Sequence, residues 1–240
     1  MDYKCKSEII NYKIISDYEK LNYFIELLPD NNKDERYMLY LFARKKYNYI
    51  EGLTADKCQL KRVMCHKKDI VKSLEQLQIE EGKWTFDDIT IPQDNLVVYI
   101  QPNLRCLKKA ARKTQSEIVD NLLDNGNLNI KSLFYNNLQK YASNKTFYLL
   151  DIDKKPDIEI NEDELLNWLK LCIGFNPIII KTKNGYHVLI ETILLTESFK
   201  NKWFNNLINN LPVSFDRTLN GDNLCVIPGT IQANFEPYMI

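Results

Sequence analysis

The sequence is short of the residues that mark several specialised kinds of protein. Its 240 residues include only 7 glycines and 2 histidines, and its 32 basic side chains are matched by 32 acidic ones. Because the formal net charge is zero, a polyanionic partner must meet a local basic patch rather than a uniformly positive surface. Because glycine is so scarce, each one is expected to have a specific backbone role, above all Gly185 and Gly229.

Two further absences bear on location and on metals. No apolar run approaches the ~18 residues of a membrane helix, and no apolar signal core follows the first residues. We therefore expect a cytoplasmic protein without a membrane partner. The cysteines form no CxxC pair, and Cys65-His66 alone cannot supply the four ligands of structural zinc, so we expect reduced thiols. These thiols are Cys5, Cys58, Cys65, Cys106, Cys172 and Cys225.

The composition, 45% hydrophobic and 27% charged, is that of an ordinary globular domain. The first part of the chain reads as helical. Ser16-Asp17 predicts a helix start, the spacing of Tyr37, Met38, Leu41 and Phe42 predicts a second helix, and Thr54 is expected to open a long third one. A strand at 96–100, broken by Pro102-Asn103, is expected to precede a further helix.

Basic residues cluster on these predicted helices. They are either a surface that follows nucleic-acid phosphates or only solvated helix faces. The candidate nucleic-acid-binding residues are Arg44, Lys45, Lys46, Lys61, Arg62, Arg105, Lys108, Lys109 and Arg112.

After a short helix between Gly126 and Ala142, the pattern changes to alternating strands and helices. Strands are predicted at 146–152, 177–181 and 186–191, with a capping box at Asn161-x-x-Glu164 and another helix after Thr196. More extended chain is expected at 213–216 and 224–227. We expect an α+β (α/β) fold with a helical, basic lobe over 1–144 and a sheet lobe over 145–240.

Three elements of the second lobe carry polar groups suited to chemistry. Asp151 and Asp153 share one face at a strand end, where they either bind Mg²⁺ or Mn²⁺ or simply lie in solvent. His187 follows a glycine turn and is either an ordinary half-buried strand residue or a donor to a nucleotide phosphate. Asp216 ends a short apolar run before Pro228-Gly229, which by itself indicates only a tight turn.

The order of these elements resembles the archaeo-eukaryotic primase superfamily, also called primase-polymerases, in its small phage, virus or mobile-element members. The likeness rests on Asp-x-Asp at a strand end, on the hairpin from Lys183 to His187, and on Asp216 followed by Ile227-Pro228-Gly229-Thr230. The segment 99–105 is also similar to the strand and turn that precede the catalytic half. The basic residue that often stands shortly before Pro-Gly in the family is absent.

The resemblance implies a two-lobed primase-like fold whose second lobe is an RRM-like catalytic sheet. It implies that Asp151, Asp153 and Asp216 hold two Mg²⁺ or Mn²⁺ ions, with Asp222 as the alternative third acid, and that His187 grips the phosphates of the nucleotide. The remaining candidate triphosphate contacts are Lys181, Lys183 and Arg217.

The function so implied is that of a DNA primase or primase-polymerase, a nucleotidyltransferase that adds NTPs or dNTPs on a single-stranded DNA template in replication. The chain ends soon after the last motif, so a replicative helicase, as a candidate partner, is expected to be encoded separately. Two alternatives stay open. One is a catalytically inactive, nucleic-acid-binding accessory protein of the same fold, and the other is a metal-dependent nuclease, which would need no triphosphate.

Overall fold

The computed structural model describes residues 10–123, 128–153, 161–196, 202–210, 220–222 and 224–240. Over these ranges the chain has a mixed α+β fold of antiparallel sheets and helices. The described helices are α1 (Tyr18–Leu27), α2 (Ile70–Glu75), α3 (Leu107–Leu123), α4 (Ile130–Lys140), α5 (Glu162–Ile173) and α6 (Trp203–Asn209). The described strands are β1 (Glu35–Arg44), β2 (Lys57–Cys65), β3 (Thr85–Phe86), β4 (Ile89–Thr90), β5 (Leu96–Cys106), β6 (Phe147–Asp153), β7 (Ile178–Lys181), β8 (Gly185–Glu191), β9 (Asn220–Asp222), β10 (Cys225–Val226) and β11 (Tyr238–Met239). In these ranges, no helix combines the length and the apolar character that crossing a membrane requires.

The first sheet has the strand order β10-β5-β1-β2. Its strand β1 occupies the segment for which the sequence predicted a helix, and that prediction is wrong. Eight of the ten β1 residues are buried, so both faces of the strand are covered and the alternation that would reveal a strand is lost. The spacing of Tyr37, Met38, Leu41 and Phe42 then imitates a helical face.

The long helix predicted from Thr54 is also wrong. The segment forms the edge strand β2, followed by the short helix α2. Exposed Lys57, Gln59 and Lys61 alternate with buried or half-buried neighbours, as they do on an edge strand. Lysines on such an edge discourage pairing with another chain. The basic residues therefore lie on a strand rather than on a helix.

Strand β5 continues through Pro102-Asn103 instead of breaking there. The pairing with β1 shifts register at this point, because Met38 is opposite Gln101 whereas Arg36 is opposite Arg105. A bulged segment tolerates a proline that an ordinary ladder would not. The following helix α3 therefore begins at Leu107, and Arg105 belongs to the strand.

The second sheet has the order β11-β7-β8-β6-β9. The predicted strands β6, β7 and β8 are confirmed, as are the short helix α4 and the helix start at Asp17. The predicted capping residue Asn161 is confirmed as well, since its side chain accepts the N–H groups of Asp163 at 2.9 Å and Glu164 at 3.2 Å. Helices α5 and α6 pack their apolar residues against one face of this sheet.

The other face of the second sheet packs on the first sheet. Leu149 and Leu189 share one apolar core with Tyr99 and the strands beside it. At the N-terminal end of β6, the Asn103 amide donates to Phe147 O at 2.9 Å and accepts from Phe147 N at 2.8 Å. This reciprocal pair fixes the relative position of the two sheets.

The first part of the chain is not the helical lobe that the sequence predicted, because β1, β2 and β5 form a sheet there. The chain also crosses between the sheets near its end. Strand β9 pairs in the second sheet, and only two residues lie between Asp222 and Cys225, where β10 begins to pair in the first.

The turn at Pro228-Gly229 docks on the start of α1. Gly229 has φ +77° and its carbonyl accepts the N–H groups of Ser16 at 2.9 Å and Asp17 at 3.1 Å. A Cβ at Gly229 would lie 2.3 Å from Asp17 O. The backbone conformation and this close approach both require glycine.

Candidate functional site

The paired acids lie at the C-terminal end of β6, on the side of the second sheet that faces the first. Asp151 is the Cα partner of His187 in β8, and Asp153 is the partner of Gly185. The Asp151 side chain is 33% exposed and Asp153 is exposed. Strand alternation thus puts two carboxylates on one face, at the point where the protein core gives way to solvent.

His187 is buried, and both of its ring nitrogens have partners. Its Nε2 lies 3.5 Å from Asp151 Oδ1, and its Nδ1 accepts the backbone N–H of Val226 at 3.2 Å. Because Nδ1 is an acceptor, the proton of the neutral ring is on Nε2, which faces the carboxylate. Val226 of the first sheet therefore fixes the orientation of the imidazole, and its Nε2–H points toward Asp151.

The first sheet supplies a wall of aromatic and cationic groups. Tyr99 is the Cα partner of Val226, and its hydroxyl accepts from Arg44 Nη1 at 2.8 Å. Tyr47, in the segment after β1, lies below the Arg44 guanidinium, which is 5.7 Å from the ring centroid. Burial raises the pKa of Tyr47, and the charge of Asp151 acts in the same direction.

The turn before β8 is tied to this wall. Gln232 accepts the N–H of Lys183 at 2.9 Å with Oε1, and donates from Nε2 to the Tyr47 hydroxyl at 2.7 Å. Lys183 Nζ lies 4.9 Å from the Tyr47 ring centroid and donates to Asn234 Oδ1 at 2.6 Å. The ammonium group therefore lies beside the aromatic wall.

We call this set of residues the inter-sheet site. It consists of Asp151, Asp153, His187, Tyr47 and Lys183. Two acids, a histidine donor and a lysine of the second sheet thus lie against the aromatic wall of the first sheet. Such a set can bind a cation and the phosphate groups that the cation neutralises.

Lys181 is not part of the inter-sheet site. Its Nζ lies 4.1 Å from the Tyr186 ring centroid and donates to the Tyr186 hydroxyl, which in turn donates to Glu162 at 3.2 Å. Tyr186 belongs to the core beneath α5, on the opposite face of the sheet from His187. The structure does not bring Lys181 together with the two acids.

Of the two candidates for a third metal-binding acid, only Asp222 lies among the described residues. Asp216 and Arg217 lie outside them. Asp222 lies in β9 as the Cα partner of Leu149, two positions along β6 from Asp151. Within the described ranges, no three His, Cys, Asp or Glu side chains form a group that would hold a metal ion. Asp151 and Asp153 are the hard oxygen donors that Mg²⁺ or Mn²⁺ prefers, so the donors that are described fit such an ion.

The candidate nucleic-acid-binding residues divide into two sets. The first set belongs to β1, β2 and their connection: Arg44, Lys45 and Lys46 precede Tyr47, whereas Lys61 and Arg62 lie farther along β2. Arg44 is itself paired with Asp56 at 3.1 Å. Those near α3 have structural contacts or face solvent.

Arg105 is 4% exposed and donates to Asn103 O at 2.9 Å and Gln139 O at 3.0 Å. Lys108 pairs with Asp34 at 2.7 Å.

Lys109 donates to the carbonyl oxygens of Ala142 and Ser143, at 3.1 and 2.8 Å. Arg112, on α3, is exposed.

Three residues of this region were missed at the level of sequence. Tyr47 directly follows Arg44-Lys45-Lys46, so a basic run with an adjacent aromatic residue was an available signal. Tyr99 lies in a strand that was predicted, but nothing in the pattern pointed to its hydroxyl. No local signal indicates Gln232, whose two partners are distant in sequence.

Comparisons with known proteins found no similarity: no family model, no curated protein and no solved structure matches the chain. A proposal of function therefore rests on the residues of the inter-sheet site and on the order of the motifs.

Proposed function

We propose that the chain is a template-directed nucleotidyltransferase, a DNA primase or primase-polymerase with a two-lobed primase-like fold. The observation that carries the proposal is that His187 Nε2 lies 3.5 Å from Asp151 Oδ1. Asp153 ends β6, the strand that carries Asp151. The sequence motifs that resemble the superfamily supply these three residues.

Asp151 and Asp153 are assigned as metal ligands, with Asp216 or Asp222 as the third. Two bound Mg²⁺ or Mn²⁺ ions would neutralise the triphosphate and lower the pKa of the attacking hydroxyl. Adjacent carboxylates repel each other in a partly buried place, and a cation removes that repulsion. The pairing of β9 with β6 supports Asp222 as the third ligand, because it places Asp222 on the strand next to Asp151.

His187 is assigned to the phosphates of the incoming nucleotide. Its buried ring is fixed by the Val226 N–H, so its Nε2–H keeps one direction. A donor that is already oriented gains more from a phosphate oxygen than a mobile one, because less conformational entropy is lost. Lys183 Nζ is assigned to the same triphosphate, to which it would bring a positive charge.

The test is incorporation of labelled nucleotides on a single-stranded DNA template, with or without a primer and with Mg²⁺ or Mn²⁺. We expect Asp151→Asn and Asp153→Asn each to lower incorporation by at least about a hundredfold, since each leaves the shape of the site but removes a charge. Asp163→Asn is the matched control, because Asp163 is an exposed acid on α5. Single Asp216→Asn and Asp222→Asn variants decide between the two third acids.

Three outcomes would contradict the proposal. Equal incorporation by the wild type and both site variants would exclude a catalytic role for the acids. Template cleavage that needs the acids but no triphosphate would indicate a nuclease. No incorporation under any condition, with DNA binding retained, would indicate the accessory protein.

A further inference from the structure

A basic cavity lies outside the inter-sheet site, between the edge strand β2 and the first turn of α4. Its volume is about 410 Å³. Of the described residues that line it, Lys61, Arg62 and Lys131 are cationic and none is acidic. We call it the β2–α4 cavity. Its composition favours a ligand that carries negative charge.

Arg62 gives the β2–α4 cavity a donor in need of an acceptor. Its guanidinium carbon lies 6.0 Å from the ring centroid of Tyr40 and 5.7 Å from that of Tyr135, which fixes the side chain between two rings. Its Nη1 is buried and has no hydrogen-bond partner in the described part of the chain. Buried polar groups without partners are rare in folded proteins, so this N–H is suited to bind an oxygen from outside.

The two lysines are placed to add to the same charge. Both are exposed, and neither lies within salt-bridge distance of an acid in the ranges that the structure covers. Lys131 is in the first turn of α4, whose N-cap Asn129 accepts the Ser132 N–H at 3.0 Å. The partial positive charge of an 11-residue helix N-terminus acts in the same direction.

Cations and aromatic rings also lie along β2 between the β2–α4 cavity and the aromatic wall of the inter-sheet site. Lys57 lies four residues before Lys61, or about 13 Å along the strand, and its Nζ is 5.1 Å from the Tyr99 ring centroid. In the β1–β2 connection, Lys45 lies 5.1 Å from the ring centroid of Tyr49, a side chain that is 72% exposed. Cations interleaved with aromatic rings along a path suit a single strand with both phosphates and stackable bases, rather than one small anion.

We propose that the β2–α4 cavity binds a backbone phosphate of a single-stranded nucleic acid that runs along β2 to the inter-sheet site. Arg62 Nη1 and the two lysines hold the phosphodiester, and Tyr135 offers a ring edge or face to the adjoining base. The choice of a single-stranded nucleic acid rests on the proposed function, but the binding itself needs neither metal nor nucleotide.

The experiment measures fluorescence anisotropy of a labelled oligothymidine, without metal or nucleotide, over a range of salt concentrations. We expect the double variant Lys61→Ala/Lys131→Ala to bind roughly tenfold more weakly at ~0.1 M salt, because two released counterions are lost. Its plot of log affinity against log salt should be shallower by about 0.7 for each lost contact. The control Lys72→Ala/Lys170→Ala removes the same charge from two other exposed positions.

Arg62→Gln tests the buried donor, and its thermal unfolding is measured in parallel because the ring contacts are lost. If Arg62→Gln does not fold, the comparison of Lys61→Ala/Lys131→Ala with its control Lys72→Ala/Lys170→Ala still decides the test. Equal affinity and equal salt slope in the wild type and the Lys61/Lys131 variant would overturn the proposal. The proposal would also be overturned if Lys61 and Lys131 were needed for thermal stabilisation by inorganic phosphate but not for oligothymidine binding. The cavity would then bind free phosphate rather than a nucleic acid. Loss of nucleotide incorporation with DNA binding intact would count against the proposed function alone.

Discussion

The backbone N–H of Val226 donates to Nδ1 of His187 at 3.2 Å and thereby joins the two sheets at the inter-sheet site. Val226 pairs with Tyr99 in the first sheet, whereas His187 pairs with Asp151 in the second. The imidazole thus makes a structural hydrogen bond with Nδ1, whereas the proposed contact with a phosphate group involves Nε2.

These two roles can be separated by substitution. In His187→Asn the amide oxygen takes nearly the place of Nδ1 and keeps the acceptor for Val226, whereas His187→Ala leaves a buried N–H without a partner. We expect His187→Ala to lower the free energy of unfolding by about 1–3 kcal/mol more than His187→Asn does. Urea titration measures the difference. Equal stabilities would show that the Val226 contact contributes little.

Gly185 is predicted to tolerate no side chain. A Cβ there would lie 2.0 Å from Ile152 O and 3.0 Å from Asp153 Cα, so β6 and β8 would have to separate beside the two acids. We expect Gly185→Ala to lower the free energy of unfolding by about 3 kcal/mol or more.

Gly82→Ala is the control for Gly185→Ala. Gly82 has φ +90° but no atom within 4 Å of the added Cβ, so only about 1–2 kcal/mol of backbone strain is expected. Thermal or urea unfolding compares the two variants. A larger loss in Gly82→Ala would contradict the close approach at Gly185.

Gln232 is expected to hold the Lys183 turn against Tyr47. Gln232→Leu removes both of its bonds, and Tyr47→Phe removes one of them together with the hydrogen bond between the Tyr47 and Tyr99 hydroxyls. Each variant should therefore lower the free energy of unfolding by about 2 kcal/mol. Tyr49→Phe is the control, because Tyr49 is largely exposed. If Gln232→Leu were as stable as the wild type, the link would not stabilise the fold.

Asp17 should contribute to the acid sensitivity of the protein. Its carboxylate caps α1, and hydrogen bonds from the Lys20 backbone and side chain lower its pKa, with the Glu19 N–H acting in the same direction. A lowered pKa in the folded state means that the stabilisation is complete above the ordinary pKa of aspartate, about 4, and is lost as the pH falls further. Asp17→Asn keeps a capping oxygen but does not titrate.

We therefore expect the wild type to be more stable than Asp17→Asn at neutral pH, and the difference to disappear below about pH 4. Unfolding midpoints of the two proteins across this range test the expectation. A difference that stayed constant with pH would show that the charge of Asp17 is not the source.

The parts of the fold that could be predicted are those with a local signal. Asn161 and Asp17 are capping residues, and the chain before and after Gly185 alternates as strands do. Strand β1 could not be predicted in this way, because burial of both faces removes the alternation. The position of Asp151 and Asp153 at a strand end could be predicted, because two acids after an apolar run are conspicuous. The pairing of Asp151 with His187 could not be derived from the pattern, since strand pairing between distant segments has no local signature.

The short crossing between the sheets limits how the inter-sheet site can move. Asp222 belongs to one sheet and Cys225 to the other, and the three Cα-to-Cα steps that join them span at most about 10 Å. That is close to the spacing of two packed sheets, so at this end the sheets are tethered at their packing distance. The contact between His187 and Val226 lies beside this tether, so the two sheets are held together there by both a covalent link and a hydrogen bond.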